Sequence, residues 1–168
     1  MARVKLDTRD LLILSILSRD GRLSKTELAK RVNLSATPCW ERLKRQEEAG
    51  IITGYRAEVS LRDLGPHVEI FLVAELENHR AATFQAFERV LSDYPEITDA
   101  WALGGGVDYL IRVVTRDIDS YQRLVDSLLD RRTGLSKYFT YIVTKAIKTG
   151  GLPPLDDLFG TGPDGLQG

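Results

Sequence analysis

The sequence predicts an α+β protein in two parts, and three observations predict it. Apolar residues recur at helical spacing in three short stretches within the first 50 residues. From Val68 onward strand-like and helix-like periods alternate in the order β-α-β-β-α-β, and Gly65-Pro66 punctuates the join. The 168 residues, 43% hydrophobic and 28% charged, match one ordinary domain or two small ones and are too apolar for a disordered chain. No apolar run approaches the roughly 18–20 residues of a membrane span. Met1 to Asp10 is charged and lacks the apolar stretch of a signal peptide. A single cysteine excludes an internal disulfide and a Cys-rich zinc site and suits a reducing compartment. The two histidines, His67 and His79, stand far apart. A soluble cytoplasmic protein without metal or cofactor is the expectation.

Taken in order, Asp7 and Asp10 fit the N-cap and third position of a helix carrying Leu11, Ile13, Leu14 and Leu17. Asp20-Gly21 is read as its end, because glycine enters the left-handed terminal conformation without a Cβ clash. Ser24 to Glu27 reads as a capping box opening a second helix with Leu28, Ala29 and Val32 on its buried side. Asn33 turns the chain. Ser35 then caps a third helix with Cys39 and Leu43 inward, Pro38 in its harmless first turn and Gly50 just past its end. Two short helices joined by a tight turn, the second basic on its outer side, form a helix-turn-helix. Ile51 to Val59 reads as a small strand pair or an extended connection, the wing of a winged helix.

Charge supports that division. Residues 1–60 hold 12 Lys/Arg against 8 Asp/Glu, a net +4; residues 61–168 hold 11 against 16, a net −5. The formal net charge of −1 therefore conceals a basic part, as a polyanion-binding module would have, joined to an acidic one. With Cys39 and Leu43 inward, the third helix turns Ser35, Ala36, Thr37, Trp40, Glu41, Lys44 and Arg45 outward, with Arg42 beside them. The N-terminal part of a recognition helix meets base edges in the major groove, where Thr37 can bond a base or touch a thymine methyl and Trp40 can pack on sugars. Arg42, Lys44 and Arg45 are candidates for backbone phosphates or guanine.

In the second half Val68 to Glu77 alternates with period two. Ala81 to Leu91 carries Phe84, Phe87, Val90 and Leu91 at helical spacing. Ile97 to Leu103 and Val107 to Thr115 are strands flanking Gly104-Gly105-Gly106, Asp117 caps a helix with Tyr121, Leu124, Val125 and Leu128, and Tyr138 to Ile147 is a last strand. This order is the ferredoxin-like βαββαβ arrangement, two helices on one face of an antiparallel sheet. The other face needs cover, which a second copy supplies in a symmetric dimer. The expected organisation is a DNA-binding domain over 1–60, a linker over 61–66, a sensing and oligomerisation domain over 67–149, and a flexible or subunit-draped tail over 150–168 with Leu155 to Phe159 as a candidate docking turn.

The Gly104-Gly105-Gly106 loop leads into Val107-Asp108-Tyr109. Free amides of Gly104, Gly105 and Gly106 can hold a carboxylate and Asp108 an ammonium group, together suiting a zwitterionic α-amino acid. A plain hairpin loop with Asp108 capping its own turn is the simpler alternative from the residues alone. No Lys-Ser/Thr follows, so the loop is a poor phosphate signature. No Ser/His/Asp or paired-carboxylate set can be placed, and Cys39 reads as core.

The sequence resembles the Lrp/AsnC (feast/famine) family of transcription regulators. The resemblance rests on Leu6-Asp7, Asp10, Ile13-Leu14, Gly21-Arg22, Glu27-Leu28-Ala29, Leu34-Ser35, Thr37-Pro38-Cys39, Arg42-Leu43-Lys44-Arg45, Gly50, Ile52 and Gly54-Tyr55. It extends over about residues 5–148, and the run LSATPCWERLKR matches the family's recognition-helix wording. One departure is Gln46, where the family usually completes the buried face with an apolar residue. Another is Val107, in place of an aromatic often found before the Asp of the family's Gly-x-x-Asp-Tyr motif. The resemblance implies double-stranded DNA as partner, a small amino-acid-like effector at Gly104, Gly105, Gly106, Asp108 and Tyr109 between subunits, and dimers that assemble further, such as to an octamer. The wording also looks like regulators encoded beside compatible-solute (ectoine) degradation genes.

A sequence-specific transcription regulator answering to an amino acid or its derivative is therefore expected, and not an enzyme. Two alternatives are distinguishable: an amino-acid-binding metabolic enzyme would show turnover, and a nonspecific architectural DNA binder would give no discrete footprint.

Overall fold

The computed structural model describes residues 4–131 and 133–160. Contacts divide them into two compact units, one made of residues up to Glu58 with those from Ile147 onward, the other of Val59–Ala146.

In the first unit α1 (Thr8–Leu17) opens on a reciprocal capping box. Asp7 Oδ1 accepts the Asp10 amide at 2.9 Å, and Asp10 Oδ2 accepts the Asp7 amide at 3.0 Å. The left-handed end expected at Gly21 does not occur. The helix stops a turn earlier and tightens as Arg19 N donates to Ile16 O, so no glycine conformation is required there. In α2 (Lys25–Arg31) the Ser24 hydroxyl accepts the Glu27 amide at 3.1 Å, but the Glu27 carboxylate turns forward to Arg31 instead of back to Ser24. Asn33 takes the left-handed conformation at φ 53°, and Leu34 N returns to Ala29 O, which swings the chain into α3 (Ala36–Glu48). Ser35 is the N-cap of α3 by position, without a side-chain cap bond. Gly50, at φ 69°, closes the helix.

Ile13, Leu28, Ala29, Val32, Cys39 and Leu43 form the core of this unit, and burial pushes the Cys39 thiol up from its ordinary pKa. Of the two forms open for the wing, residues 53–60 take the extended one. Tyr55 folds back to give its hydroxyl to Glu47 at 2.8 Å, and burial followed by that carboxylate raises its pKa to about 12.

The second unit starts with a single helical turn, α4 (Leu61–Leu64), where only a linker was expected. It continues β1 (Val68–Leu76), α5 (Ala81–Leu91), β2 (Ile97–Ala102), β3 (Tyr109–Thr115), α6 (Ile118–Asp130) and β4 (Leu135–Ile142). The antiparallel sheet has order β2-β3-β1-β4, the ferredoxin-like topology. Ile70, Leu72, Ala74 and Leu76 point from β1 into one core with Ile111 and Val113 of β3, Phe87 and Leu91 of α5, and Leu124, Val125 and Leu128 of α6. Asp117 caps α6 by accepting the Ser120 amide at 2.7 Å. Its bonds from Ser120 and Arg116 hold this carboxyl at a pKa of about 2.

The last strand was expected over Tyr138 to Ile147 and instead runs Leu135–Ile142. Gly134, at φ 80°, turns the chain early enough for Leu135 to pair with Leu76. At the other end β1 begins at Val68, so beyond Ile142, opposite Ile70, there is almost no strand left to pair with.

The tail is not loose over its described part. α7 (Leu155–Phe159) packs against α1 in the first unit, and Leu152, Leu155 and Phe159 border an apolar groove with Leu6, Leu11, Leu14 and Ile52. Residues 161–168 of the expected tail lie outside the described residues. Helix α1 explains the docking: it is apolar on more than one side, so the helix-turn-helix core buries Ile13 and leaves Leu11 and Leu14 needing other cover. Among the described residues no helix is long and apolar enough to cross a membrane.

Candidate functional site

Helix α3 presents Ser35, Ala36, Thr37, Trp40, Glu41, Lys44 and Arg45 to solvent, as its apolar register requires. Thr37 and Ala36, in its first turn, are free of any tertiary core. Trp40 is partly sheltered: the Lys25 ammonium at the start of α2 lies 3.0 Å from the centre of its ring, a cation–π contact that ties the first turns of the two helices together. Among the described residues Lys44 pairs with Glu48, at 3.6 Å on the same exposed face.

The arginines are placed otherwise. Arg42 Nη1 lies 2.7 Å from Asp7 Oδ2 and 2.9 Å from Asp10 Oδ1, and Arg45 Nη2 donates to Asp10 Oδ2 at 2.8 Å. Asp10 is 1% exposed. Gln46, fully buried, donates through Nε2 to Asp10 Oδ1 at 3.1 Å and to Asp10 O at 3.4 Å, which fixes the sense of its amide because both partners are acceptors. One buried carboxylate thus collects two guanidinium groups, an amide side chain and a backbone N–H. Arg42, side chain one-quarter exposed, is the counter-ion of the capping box of α1. The pairing raises its pKa further, chiefly through the hydrogen bonds to Asp10 and Asp7. The polar departure at Gln46 is the sequence signal for this network, since a polar side chain on a buried stripe requires a partner.

In the second unit Gly104, Gly105 and Gly106 form an exposed loop, with Gly105 at φ 152° and open space around its missing Cβ. Asp108 stands at its end. Its Oδ2 accepts the Leu76 amide at 2.7 Å, so the residue pins the end of β1, and its Oδ1 lies 3.0 Å from His79 Nε2. Tyr109 is not on the surface with them. It is 2% exposed, packs on Phe87 and Phe84, and gives its hydroxyl to Glu88 at 2.7 Å. Burial and then that carboxylate push its phenol far above the ordinary range, so it is a neutral core group. The loop therefore brings together Gly104 to Gly106 and Asp108, with Tyr109 behind them. His79 is the addition that sequence reasoning passed over as an isolated surface histidine.

The sheet face opposite the helices carries a row of paired residues, Trp101, Leu110, Val73 and Phe139, one from each strand. Beside it Arg112 bridges Glu69 at 2.6 Å and Asp99 at 3.2 Å. Trp101 and Phe139 are exposed.

A helix-turn-helix unit followed by a small α+β unit with a glycine loop at a strand junction defines a DNA-binding regulator with a built-in ligand-binding domain. Residues 6–53 match the family described as winged helix-turn-helix DNA-binding, and residues 69–153 match the Lrp/AsnC ligand binding domain. The chain belongs to the Lrp/AsnC family. It is 49% identical to the transcriptional regulatory protein DoeX of Halomonas elongata over 86% of this chain and 92% of that one. Among solved structures, an AsnC family transcriptional regulator from Agrobacterium tumefaciens superposes with a TM-score of 0.83 at 31% identity, covering 91% of this chain and 99% of the other. A transcriptional regulator from Neisseria meningitidis, solved in complex with L-Met, gives the same TM-score, identity and coverage.

Proposed function

We propose that this protein is a sequence-specific transcription regulator that reads double-stranded DNA with the first turns of α3 and changes its DNA-binding behaviour when a small amino acid or amino-acid-derived effector binds at Gly104–Gly106 and Asp108. The protein acts by binding and not by catalysis. The observation that carries the reading is the pairing of an exposed α3 face, built on Thr37, Trp40 and Lys44, with a carboxylate-tipped glycine loop in the second unit. The L-Met complex of the Neisseria relative supports an amino acid as the effector class. Likeness to the transcriptional regulatory protein DoeX over most of both chains supports the regulatory reading; a role in amino-acid or compatible-solute catabolism, in the cytoplasm, is what the sequence resemblance implies.

On this reading phosphate neutralisation falls mainly to Lys44 and its exposed basic neighbours. Lys44→Ala is expected to lower the slope of log affinity against log salt by about 0.9, with stability changed by less than about 0.5 kcal/mol. Salt-dependent mobility-shift titration measures it, and an unchanged slope would remove Lys44 from the DNA face.

The row of exposed Trp101 and Phe139 with half-buried Leu110 and Val73 between them supports a symmetric dimer formed through this sheet face, with higher assembly such as an octamer built from dimers. Sedimentation at micromolar concentration is expected to give a dimer or larger for the native chain and a smaller species for Phe139→Glu. A native chain sedimenting as a monomer would end this part of the proposal.

A further inference from the structure

His79 lies in the turn between β1 and α5. Its side chain is largely exposed yet held: Nε2 sits 3.0 Å from Asp108 Oδ1, and the ring stacks on Phe84 with centroids 5.9 Å apart and planes 7° from parallel. Phe84 rests in turn on Tyr109, 6.1 Å away, whose hydroxyl is fixed to Glu88. The buried Tyr109 thus supports the wall on which the imidazole lies. Asp108 divides its two oxygens between separate tasks, because Oδ2 is committed to the Leu76 amide and Oδ1 meets the imidazole. Oδ1 is the oxygen the backbone leaves free, and an ammonium group that comes to it meets the His79 imidazole already beside it.

The geometry points to His79 as a built-in competitor for the cationic end of the effector: its imidazole fills the ammonium position beside Asp108, and an α-amino ligand binds by displacing it. The inference rests on the reading of Asp108 as the ammonium partner. Displacement sacrifices an imidazole–carboxylate contact and the stack on Phe84, which an ammonium–carboxylate bond replaces and a neutral hydroxyl does not match. A ligand without an amine leaves the imidazole in place and gains nothing from Asp108. His79 therefore raises the threshold for occupancy by amine-bearing ligands and leaves ligands without an amine unaffected.

The test uses the full chain as native protein, His79→Ala, His79→Gln and Asp108→Asn. Each is titrated calorimetrically with the twenty protein L-amino acids, each beside its des-amino carboxylic acid. For those amino acids that bind the native protein, His79→Ala and His79→Gln are expected to bind about threefold tighter, the size of one net hydrogen-bonded contact, while the des-amino acids do not change. Imidazole nitrogen NMR is expected to show a hydrogen-bonded Nε2 of His79 in the free protein and loss of that hydrogen bond on saturation. Unchanged or weaker amino-acid binding by both His79 variants, or an equal gain for the des-amino acids, would overturn the inference. If Asp108→Asn abolishes binding while the His79 variants do nothing, the effector reading stands and His79 alone is excluded. If no amino acid binds any of the proteins, the effector reading fails and this inference falls with it.

Discussion

Arg42→Ala is expected to destabilise the first unit by about 2–4 kcal/mol, the cost of leaving a buried carboxylate short of a counter-ion, reduced because Arg45 remains beside Asp10. The same substitution is expected to leave the salt slope of DNA binding nearly unchanged, unlike Lys44→Ala. A loss of affinity that follows the loss of fold, with the slope intact, separates an arginine that holds α3 against α1 from one that touches phosphate. Hydrogen exchange of α1 and α3 reads the first effect and salt titration the second. If Arg42→Ala lowered the slope by about 1 with exchange unaltered, Arg42 would be a phosphate ligand and the buried network incidental. The network also carries an acid dependence. Burial pushes the Asp7 carboxyl up, but the Asp10 amide and the Arg42 guanidinium outweigh it and hold its pKa below the ordinary 3.8. A depressed carboxyl contributes stability that is present above its unfolded pKa and lost as pH falls through the folded one. The Asp7 contribution to the α1–α3 contact therefore begins to fall near about pH 4 and is gone only once the pH has passed below the depressed folded value.

The second large effect falls on Asp108, where removal and replacement should differ. Asp108→Ala deprives the Leu76 amide, at a residue only 7% exposed, of its acceptor and is expected to cost about 1–3 kcal/mol in the second unit. Asp108→Asn keeps an oxygen for that amide but loses the charge. Its stability is expected to stay within about 1 kcal/mol of the native chain while the amino-acid response is lost. Thermal melting separates the first expectation, and ligand-induced melting shifts the second. An Asn variant that still shifted with the same amino acid as the native protein would show that the Asp108 charge plays no part in recognition.

Much of this was legible in the sequence because it rests on short-range physics. The period of two in β1 placed Ile70, Leu72, Ala74 and Leu76 on the buried face, and Asp7 with Asp10, Ser24 and Asp117 marked helix starts that the structure retains. What escaped was set by distant partners. Arg42 and Arg45 look like free cations on a basic helix until Asp10, 35 residues before Arg45, is brought beneath them. His79 and Asp108 lie 29 positions apart and meet only because β1 and β3 pair. Tyr109 looked like a ligand contact because it follows Asp108, whereas strand alternation turns it inward. The extent of β4 depended on where β1 begins; Leu155 to Phe159 was legible as a docking turn, but its seat depends on the second apolar side of α1 and not on the tail itself.

The central claim is that one chain couples a discrete DNA site to an amino-acid-like effector. Nuclease footprinting of the native protein on the DNA flanking its own gene, with and without each of the twenty L-amino acids, tests it most directly. Protection of a discrete, roughly palindromic site whose affinity or extent changes with at least one amino acid is expected, and the same site without that change for Asp108→Asn. Uniform protection without a boundary, or a discrete site indifferent to every amino acid, would contradict it.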